Sequence, residues 1–203
     1  MHRITSFTLG ACCLALLLFS CDPNGDGRYS VCPDGKIAVD YTDRTEPVIG
    51  IDYSILHHHA DGSVTSSYHR YDGTDVYAEE GDIITVYPFV RDPESGVQFA
   101  QATISGEYAC ASDVDIYRVH RIDHEIMAGY YEGPNPDCSV AEAPLSSYEF
   151  TFGEGCEPVG GRTGQGTYFI TLEARNHATG ITLLTLMRVT NEANPPDGPI
   201  ILF

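Results

Sequence analysis

Short runs of alternating apolar and polar residues make up most of this chain. Residues 48–71 are expected to form a β-hairpin, because the first strand alternates isoleucine or tyrosine with glycine, aspartate or serine. The dipeptide Asp61-Gly62 favours a two-residue type I′ turn. Such a turn pairs residues whose numbers sum to 123, which places His58 opposite Thr65.

The same period of two recurs at intervals to residue 189. Further strands are expected at residues 83–90, 97–104, 114–122, 148–152, 168–175 and 181–189. Residues 83–90 (IITVYPFV) are apolar on both faces, as in a central strand, although Pro88 indicates a bulge or an edge there. No stretch sustains a helical period over twelve residues. The pattern predicts an all-β chain folded as a two-sheet sandwich.

Composition narrows the classes of partner. The chain has 203 residues and a formal charge of −18, from 11 basic and 29 acidic residues. A polyanion without a basic stripe is not expected to bind nucleic acid or to be attracted to anionic headgroups. The apolar fraction of 42% is ordinary for a globular protein, so one domain with a core is expected.

The first residues have the form of a secretory leader. Arg3 precedes an apolar run at residues 9–19, which has the length of a signal peptide and is too short for a spanning helix. The sequence LFSC at residues 18–21 resembles the lipobox of bacterial lipoproteins. The resemblance implies removal of residues 1–20 and acylation of Cys21, hence a membrane contact through lipid only. Within the envelope, the outer membrane or cell surface is expected rather than the inner membrane, and the leaflet stays open.

Removing the leader simplifies the domain organisation and the cysteine count. Residues 21–35 then comprise the lipidated cysteine and a flexible acidic tether, and residues 36–203 the folded domain. Loss of Arg3 takes the charge to −19. Two of the seven cysteines leave with the leader and one is acylated. The other four are Cys32, Cys110, Cys138 and Cys156. Four thiols in an exported chain favour two disulfides, with three possible connectivities, over a metal site, for which no C-x-x-C pair is present.

Four motifs occur in a fixed order along the chain. They are Glu80-Gly81-Asp82 before a strand, DPESGV at residues 92–97, Gly166-Thr167-Tyr168 at the start of a strand, and ARNHATG at residues 174–180. Together they resemble bacterial immunoglobulin-like domains of the cadherin and fibronectin type III kind, over residues 45–190. The resemblance implies an antiparallel immunoglobulin-like sandwich of about seven to nine strands. Asn176 stands where such domains often carry aspartate, and no tryptophan fills the core.

The resemblance implies roles for several residues. Asp92 and Ser95 would hydrogen-bond to the backbone of a tight turn, in which Gly96 adopts a positive φ. Tyr168 would lie where a tyrosine corner bonds to backbone further upstream.

The resemblance also implies a disulfide pairing. In a Greek-key sandwich, Cys110 would end the strand after the turn at residues 92–97 and Cys156 would end a later strand, so both would emerge at one pole. Cys32 and Cys138 would lie nearer the opposite pole. The favoured pairs are therefore Cys110 with Cys156 and Cys32 with Cys138, and the other two connectivities remain alternatives.

The tether carries oxygen ligands with the spacing of a calcium loop. Asp22, Asn24 and Asp26 occupy alternate positions and Gly27 follows them. The twelfth position is Pro33, where such a loop requires a bidentate glutamate. A solvated acidic spacer is the main interpretation and a Ca²⁺ site the alternative.

Three consecutive histidines lie near the tip of the predicted hairpin. His57 and His59 share a face of the strand and lie about 6.6 Å apart, close enough to share a Zn²⁺ or copper ion. His69 does not converge on them. Exposed histidines are the main interpretation, and metal capture at the envelope is the alternative.

No enzyme motif is present: the chain lacks G-x-S-x-G, H-E-x-x-H and a P-loop. We expect no catalysis and no cofactor. Tyr130 and Tyr131, beside two glycines, would form an aromatic platform for sugar or protein if exposed, although packing within the sheets is the main interpretation.

The sequence thus favours a membrane-anchored lipoprotein of the cell envelope that presents an immunoglobulin-like interaction or structural module. An envelope protein or a glycan is the expected partner. The alternatives are a carbohydrate-binding or carbohydrate-processing module and a metal-binding lipoprotein. Fold alone does not choose among them.

Overall fold

The computed structural model describes residues 32–33, 35–111, 119–130, 137–156, 159 and 162–192. This part of the chain contains eleven β-strands and no helix, and therefore no helix able to cross a membrane. The strands are β1 (Ile37–Ala38), β2 (Val48–His58), β3 (Val64–Arg70), β4 (Val76–Tyr77), β5 (Ile83–Arg91), β6 (Val97–Ala109), β7 (Val119–Tyr130), β8 (Cys138–Ser139), β9 (Tyr148–Thr151), β10 (Gln165–Asn176) and β11 (Thr182–Thr190).

Two sheets form the body of the fold. One has five strands in the order β4-β11-β10-β6-β7, and the other has four in the order β3-β2-β5-β9. β1 and β8 form a third sheet of two strands, and residues just after β8 form bridges to Arg91 of β5 and Val97 of β6. Every pairing is antiparallel except that of β4 with β11. The predicted all-β sandwich is confirmed, and β1, β4 and β8 are strands of two residues each, too short to show a period in the sequence.

One hydrophobic core fills the space between the two sheets. In β10, the predicted alternation is confirmed, since Tyr168, Ile170, Leu172 and Ala174 are all fully buried. The four-stranded sheet contributes Ile51, Ile55, Ile84, Val86, Val90 and Phe150. Each large apolar side chain buried in this way stabilises the fold by about 1.5–3 kcal/mol.

Strand β5 has the central position predicted for it. It pairs with β2 along its whole length, but with β9 only from Ile83 to Val86. Pro88 lies beyond the last pair with β9, where a residue without an N–H is tolerated. The strand expected at residues 114–122 begins, among the described residues, at Val119 and continues to Tyr130.

The turn of the first hairpin differs from the prediction. The N–H of His59 donates to the carbonyl of Ser63 and the N–H of Gly62 donates to the carbonyl of His59, both at 2.9 Å. Gly62 has a φ of 81°. These bonds define a three-residue loop closed by a glycine bulge instead of a two-residue type I′ turn. The carboxylate of Asp61 favours the longer loop, because its Oδ1 accepts hydrogen bonds from the N–H and Oγ of Ser63.

The longer loop shifts the register of the hairpin by one residue. His58 faces Val64, where Thr65 was expected. A shift of one residue turns every side chain of a strand to the opposite face. The expected register placed Tyr68 opposite the buried Ile55, whereas the structure places it opposite Ser54, on the solvent side.

Two disulfides join distant parts of the chain. Cys32 is bonded to Cys138 and Cys110 to Cys156, with Cα atoms 5.6 and 5.2 Å apart. This is the pairing that the immunoglobulin-like resemblance favoured. Cys110 follows β6 and Cys156 follows the turn after β9, so the second disulfide connects the two main sheets.

Tyr168 crosses the core towards the turn after β9. Its ring packs edge-on against Phe150 and Phe152, at centroid distances of 5.6 and 5.2 Å. Its hydroxyl lies near the backbone of Gly153 but, among the described residues, has no partner at hydrogen-bond geometry. The bond expected of a tyrosine corner is therefore not formed, because the ring points across the sandwich.

Burial makes Tyr168 a source of alkaline sensitivity. Desolvation raises its pKa to about 12, against about 10 in an unfolded chain. The folded state therefore holds this proton more tightly, and its contribution to stability is complete below pH 10 and is lost as the pH rises towards 12. We expect Tyr168→Phe to lose stability less steeply than the parent above about pH 10, measured by urea unfolding across that range. Tyr77→Phe, at an exposed ring, is the control; a Tyr168→Phe variant as steep as the parent would contradict the prediction.

Candidate functional site

The solvent side of the four-stranded sheet carries a group of aromatic and charged side chains. Side chains alternate across each strand, so the registers decide which residues share this side. Those at its centre are Gly50, Asp52 and Ser54 of β2, Tyr68 and Arg70 of β3, and Tyr87, Phe89 and Arg91 of β5. We call these eight residues the aromatic face.

Phe89 lies at the centre of the aromatic face. It pairs with Gly50 across the strands, and a Cβ added to Gly50 would lie only 2.5 Å from Cζ of the ring. The guanidinium carbons of Arg70 and Arg91 lie 5.5 and 5.4 Å from the ring centroid, within cation–π range. The absent side chain at Gly50 and the two flanking cations thus hold the ring in one place.

Asp52 orients the outer members of the face. Its Oδ2 accepts a hydrogen bond from the Tyr68 hydroxyl and its Oδ1 one from Nε of Arg70, both at 3.0 Å. The bond from Arg70, followed by the one from Tyr68, lowers the pKa of the Asp52 carboxyl. The carboxylate is therefore ionised at neutral pH and fixes both neighbours.

Two tyrosine rings of the face remain open to solvent. Tyr68 is 63% exposed and Tyr87 is 38% exposed. Their centroids lie 5.8 Å apart with the planes inclined by 47°, and the Tyr87 hydroxyl lies 3.5 Å from Oγ of Ser54. Rigid rings bordered by hydrogen-bonding groups suit the binding of a ligand by stacking and hydrogen bonds.

The alternation of residues along the chain does not reveal this face, for a physical reason. The expected hairpin register directed Tyr68 inward, and a run of apolar residues concealed the outward positions of β5. The available signal was the spacing of Tyr87 and Phe89, which lie two residues apart on the side opposite Val86.

Several predicted site residues lie outside the described part of the chain. They are Cys21, Asp22, Asn24, Asp26 and Tyr131. Tyr130 ends β7, where the backbone alone is described. The lipid anchor, the calcium loop of the tether and the platform at Tyr130 and Tyr131 therefore stay predictions.

His57 and His59 lie on the same side of the hairpin, with ring centroids 6.4 Å apart. Each ring has a polar neighbour. Nδ1 of His57 lies 2.9 Å from Oδ2 of the buried Asp82, and Nε2 of His59 lies 2.9 Å from Oγ1 of Thr65. Among the described residues, neither belongs to a group of three close metal-binding side chains. A metal site at these histidines stays a prediction.

Three carboxylates meet at the turn between β5 and β6. Oxygen atoms of Asp43, Asp92 and Glu94 lie within 4.8 Å of one another. Oδ1 of the buried Asp92 accepts hydrogen bonds from the N–H groups of Ser95 at 2.7 Å and Gly96 at 3.1 Å. Gly96 has a φ of 75°. The turn-forming roles predicted for Asp92 and Gly96 are confirmed, whereas the hydroxyl of Ser95 donates to Oδ1 of Asp92 instead of bonding to the backbone. These hydrogen bonds engage the most buried carboxylate of the cluster.

Asn176 completes the same network. Its Nδ2 donates to Oδ2 of Asp92 at 2.8 Å and to the carbonyl of Thr45 at 2.9 Å, while its Oδ1 accepts from the N–H of Thr179. Aspartate at this position would oppose one carboxylate with another. The amide thus explains why asparagine stands where the resemblance leads one to expect aspartate.

Ser139 and His177 form a partly buried contact between a hydroxyl and an imidazole, the two groups that a nucleophile and base pair requires. Nε2 of His177 lies 3.0 Å from Oγ of Ser139. The hydroxyl donates its proton to the carbonyl of Val97 at 2.7 Å, so the imidazole nitrogen must act as the donor. A general base would instead accept that proton. Ser139 is also fully buried, and the pair supports the turn at Gly96.

The chain was compared with protein-family models and with curated proteins. No protein-family model matches this chain, and no curated protein matches it. Function must therefore be inferred from the site itself.

Proposed function

We propose that this chain is a lipid-anchored protein of the bacterial cell envelope, whose immunoglobulin-like domain is a binding module without catalytic activity. The observation that carries the proposal is the aromatic face. Two tyrosines stay exposed there while Asp52, Phe89 and the arginines hold their positions. Aromatic residues and arginine are enriched at recognition surfaces, and lysine is depleted. The face follows that composition.

The location is supported by the cysteines and by the leader. The LFSC sequence at residues 18–21 provides the acylation site. The remaining four cysteines pair in two disulfides, which persist in oxidising compartments outside the cytoplasm. Both features fit a domain exported and then retained by lipid.

The absence of catalysis is supported by the chemistry of the Ser139 and His177 pair. The serine is buried and its proton is already donated to a backbone carbonyl. The sequence motifs that would signal a hydrolase or a nucleotide-binding enzyme are also absent.

Metabolic labelling with palmitate tests the anchor. The full chain, expressed in a bacterium that processes lipoproteins, is expected to incorporate the label and to sediment with membranes. Cys21→Ala should lose the label entirely and lose the membrane association that lipid confers. Cys12→Ala, a leader cysteine removed on cleavage, is the matched control and should behave as the parent. A Cys21→Ala variant that still incorporates palmitate would overturn the proposed anchor.

A further inference from the structure

We infer that the aromatic face binds a neutral polysaccharide, one whose sugar units carry no ionised groups. The inference rests on the proposed function, because it names the ligand class of the same face. Four properties of the face lead to it: its charge balance, the chemistry of its exposed groups, its apolar area and its rigidity.

Charge excludes anionic polymers, and the face itself holds no excess charge that would bind a cationic one. The chain as a whole carries −18, so a polyanion is repelled at long range. On the face itself Arg70 is paired with Asp52, and Arg91 is paired with Glu142 at 3.2 Å. The two cations at its centre are thus each matched by a carboxylate, and neither a polyanion nor a polycation finds an excess of opposite charge there. A ligand without ionised groups incurs no such penalty.

The exposed groups match the two surfaces of a sugar ring. A pyranose presents C–H groups on one face and hydroxyls around its rim. The C–H groups are attracted to the negative π-face of an aromatic ring, which Tyr68 and Tyr87 supply. Ser54 Oγ and the Tyr87 hydroxyl lie 3.5 Å apart at the rim of these rings, where they can bond to ligand hydroxyls. Arg70 bonds to Asp52 through Nε, which leaves its terminal N–H groups, on an exposed side chain of the same face, as further donors.

The exposed aromatic area of the face is the size that a sugar covers and is smaller than a protein interface requires. At the centre of the face, the exposed parts of Tyr68 and Tyr87, 63% and 38%, together amount to one aromatic side chain. That is about 200 Å² of aromatic surface. The exposed valines of the same side, Val48 and Val64, lie at opposite ends of β2 and do not extend this centre. A stable protein interface buries about 800 Å² on each partner, around a contiguous apolar centre. One or two sugar rings would cover the exposed aromatic surface completely.

The rigidity of the face favours a weakly binding ligand of this kind. Asp52 already fixes Tyr68 and Arg70, and Phe89 is held over Gly50. Side chains that are ordered before binding lose little conformational entropy on contact. A stacking contact of modest strength can therefore produce measurable affinity.

Affinity electrophoresis of the mature protein tests the inference. Native gels cast with a β-glucan, a xylan or a galactomannan are the probes, and gels with alginate are the charged comparison. We expect at least one neutral polysaccharide to retard the protein and alginate not to do so. The double variant Tyr68→Ala, Tyr87→Ala should bind at least about tenfold more weakly. Tyr77→Ala, which removes an equally exposed tyrosine from the other sheet, is the matched control and should migrate as the parent.

The outcomes separate this inference from the proposed function. Retardation by alginate, or equal retardation of the double variant and Tyr77→Ala, would refute neutral glycan binding at this face. A second outcome is that no polysaccharide retards the protein, but cross-linking joins it to an envelope protein through a contact that the double variant loses. In that case the proposed glycan ligand is wrong, while the proposal that this face is a binding site is supported. If the protein is neither retarded by a polysaccharide nor cross-linked to an envelope protein, the proposed binding function is wrong. Unchanged urea-unfolding midpoints would show that the variants are folded.

Discussion

Replacing Asp92 with alanine is expected to lower the free energy of unfolding by about 3–5 kcal/mol. Its carboxylate accepts hydrogen bonds from the N–H groups of Glu94, Ser95 and Gly96 and from the amide of Asn176. The residue is 2% exposed, so water cannot replace the lost acceptor without opening the turn. Urea unfolding measures the change, with the slope checked for constancy.

Asp72→Ala is the matched control for this variant. Asp72 also accepts from a backbone N–H and a hydroxyl two residues later, in Thr74, but the turn is exposed. Surface changes of this kind usually cost about 0.5 kcal/mol or less. If Asp92→Ala cost no more than Asp72→Ala, the burial argument for the turn would be wrong.

Removing the Cys110–Cys156 disulfide, by replacing both cysteines with alanine, is expected to cost about 2–5 kcal/mol. The bond closes a loop with a sequence separation of 46 residues and joins the end of β6 to the turn after β9. It thus restricts the unfolded chain and connects the two sheets in the folded one. Thermal and urea unfolding of the double variant, beside the oxidised parent, measure the loss.

For the Cys32–Cys138 disulfide, loop entropy and position in the fold predict opposite effects on stability relative to Cys110–Cys156. Its sequence separation of 106 residues would make it the more stabilising bond on loop entropy alone. It ties the segment that contains β1 to Cys138 of β8, however, and these two-residue strands form a small sheet outside the two main ones. When this bond is removed, that segment can detach locally, so we expect the smaller loss. A larger loss than for Cys110–Cys156 would contradict this ranking.

Four of the aspartates that make the chain acidic stabilise turns. Asp40, Asp43, Asp61 and Asp72 each accept hydrogen bonds from the N–H and hydroxyl of a threonine or serine two residues later. These bonds lower the pKa of all four carboxyls. The repeated pattern of aspartate followed by threonine or serine at the second position was visible in the sequence as a turn signal. Part of the negative charge therefore belongs to carboxylates that hold turns in place by hydrogen bonds.

Patterns confined to one strand or one turn were predictable from the sequence. The alternation in β10 identified its buried face, because a period of two needs no knowledge of the partner strand. The turn at residues 92–97 was identified for a similar reason, since a carboxylate followed by a glycine at that spacing can accept hydrogen bonds from the N–H groups of its own turn.

The aromatic face was not predictable in this way, because it depends on how strands align. The same dipeptide, Asp61-Gly62, is compatible with a two-residue turn and with the three-residue loop that forms. Tyr68 changes sides between them. Its contact with Tyr87 further depends on β2, which lies between their strands and sets both registers.

The sequence by itself determined the all-β class, the buried face of β10 and the acceptor and glycine of the tight turn after β5, because these follow from local periodicity and local hydrogen bonding. Only the tertiary structure decided which side chains share the solvent face of the four-stranded sheet. Their meeting depends on registers between strands distant in sequence, and a shift of one residue in a single loop exchanges the two faces.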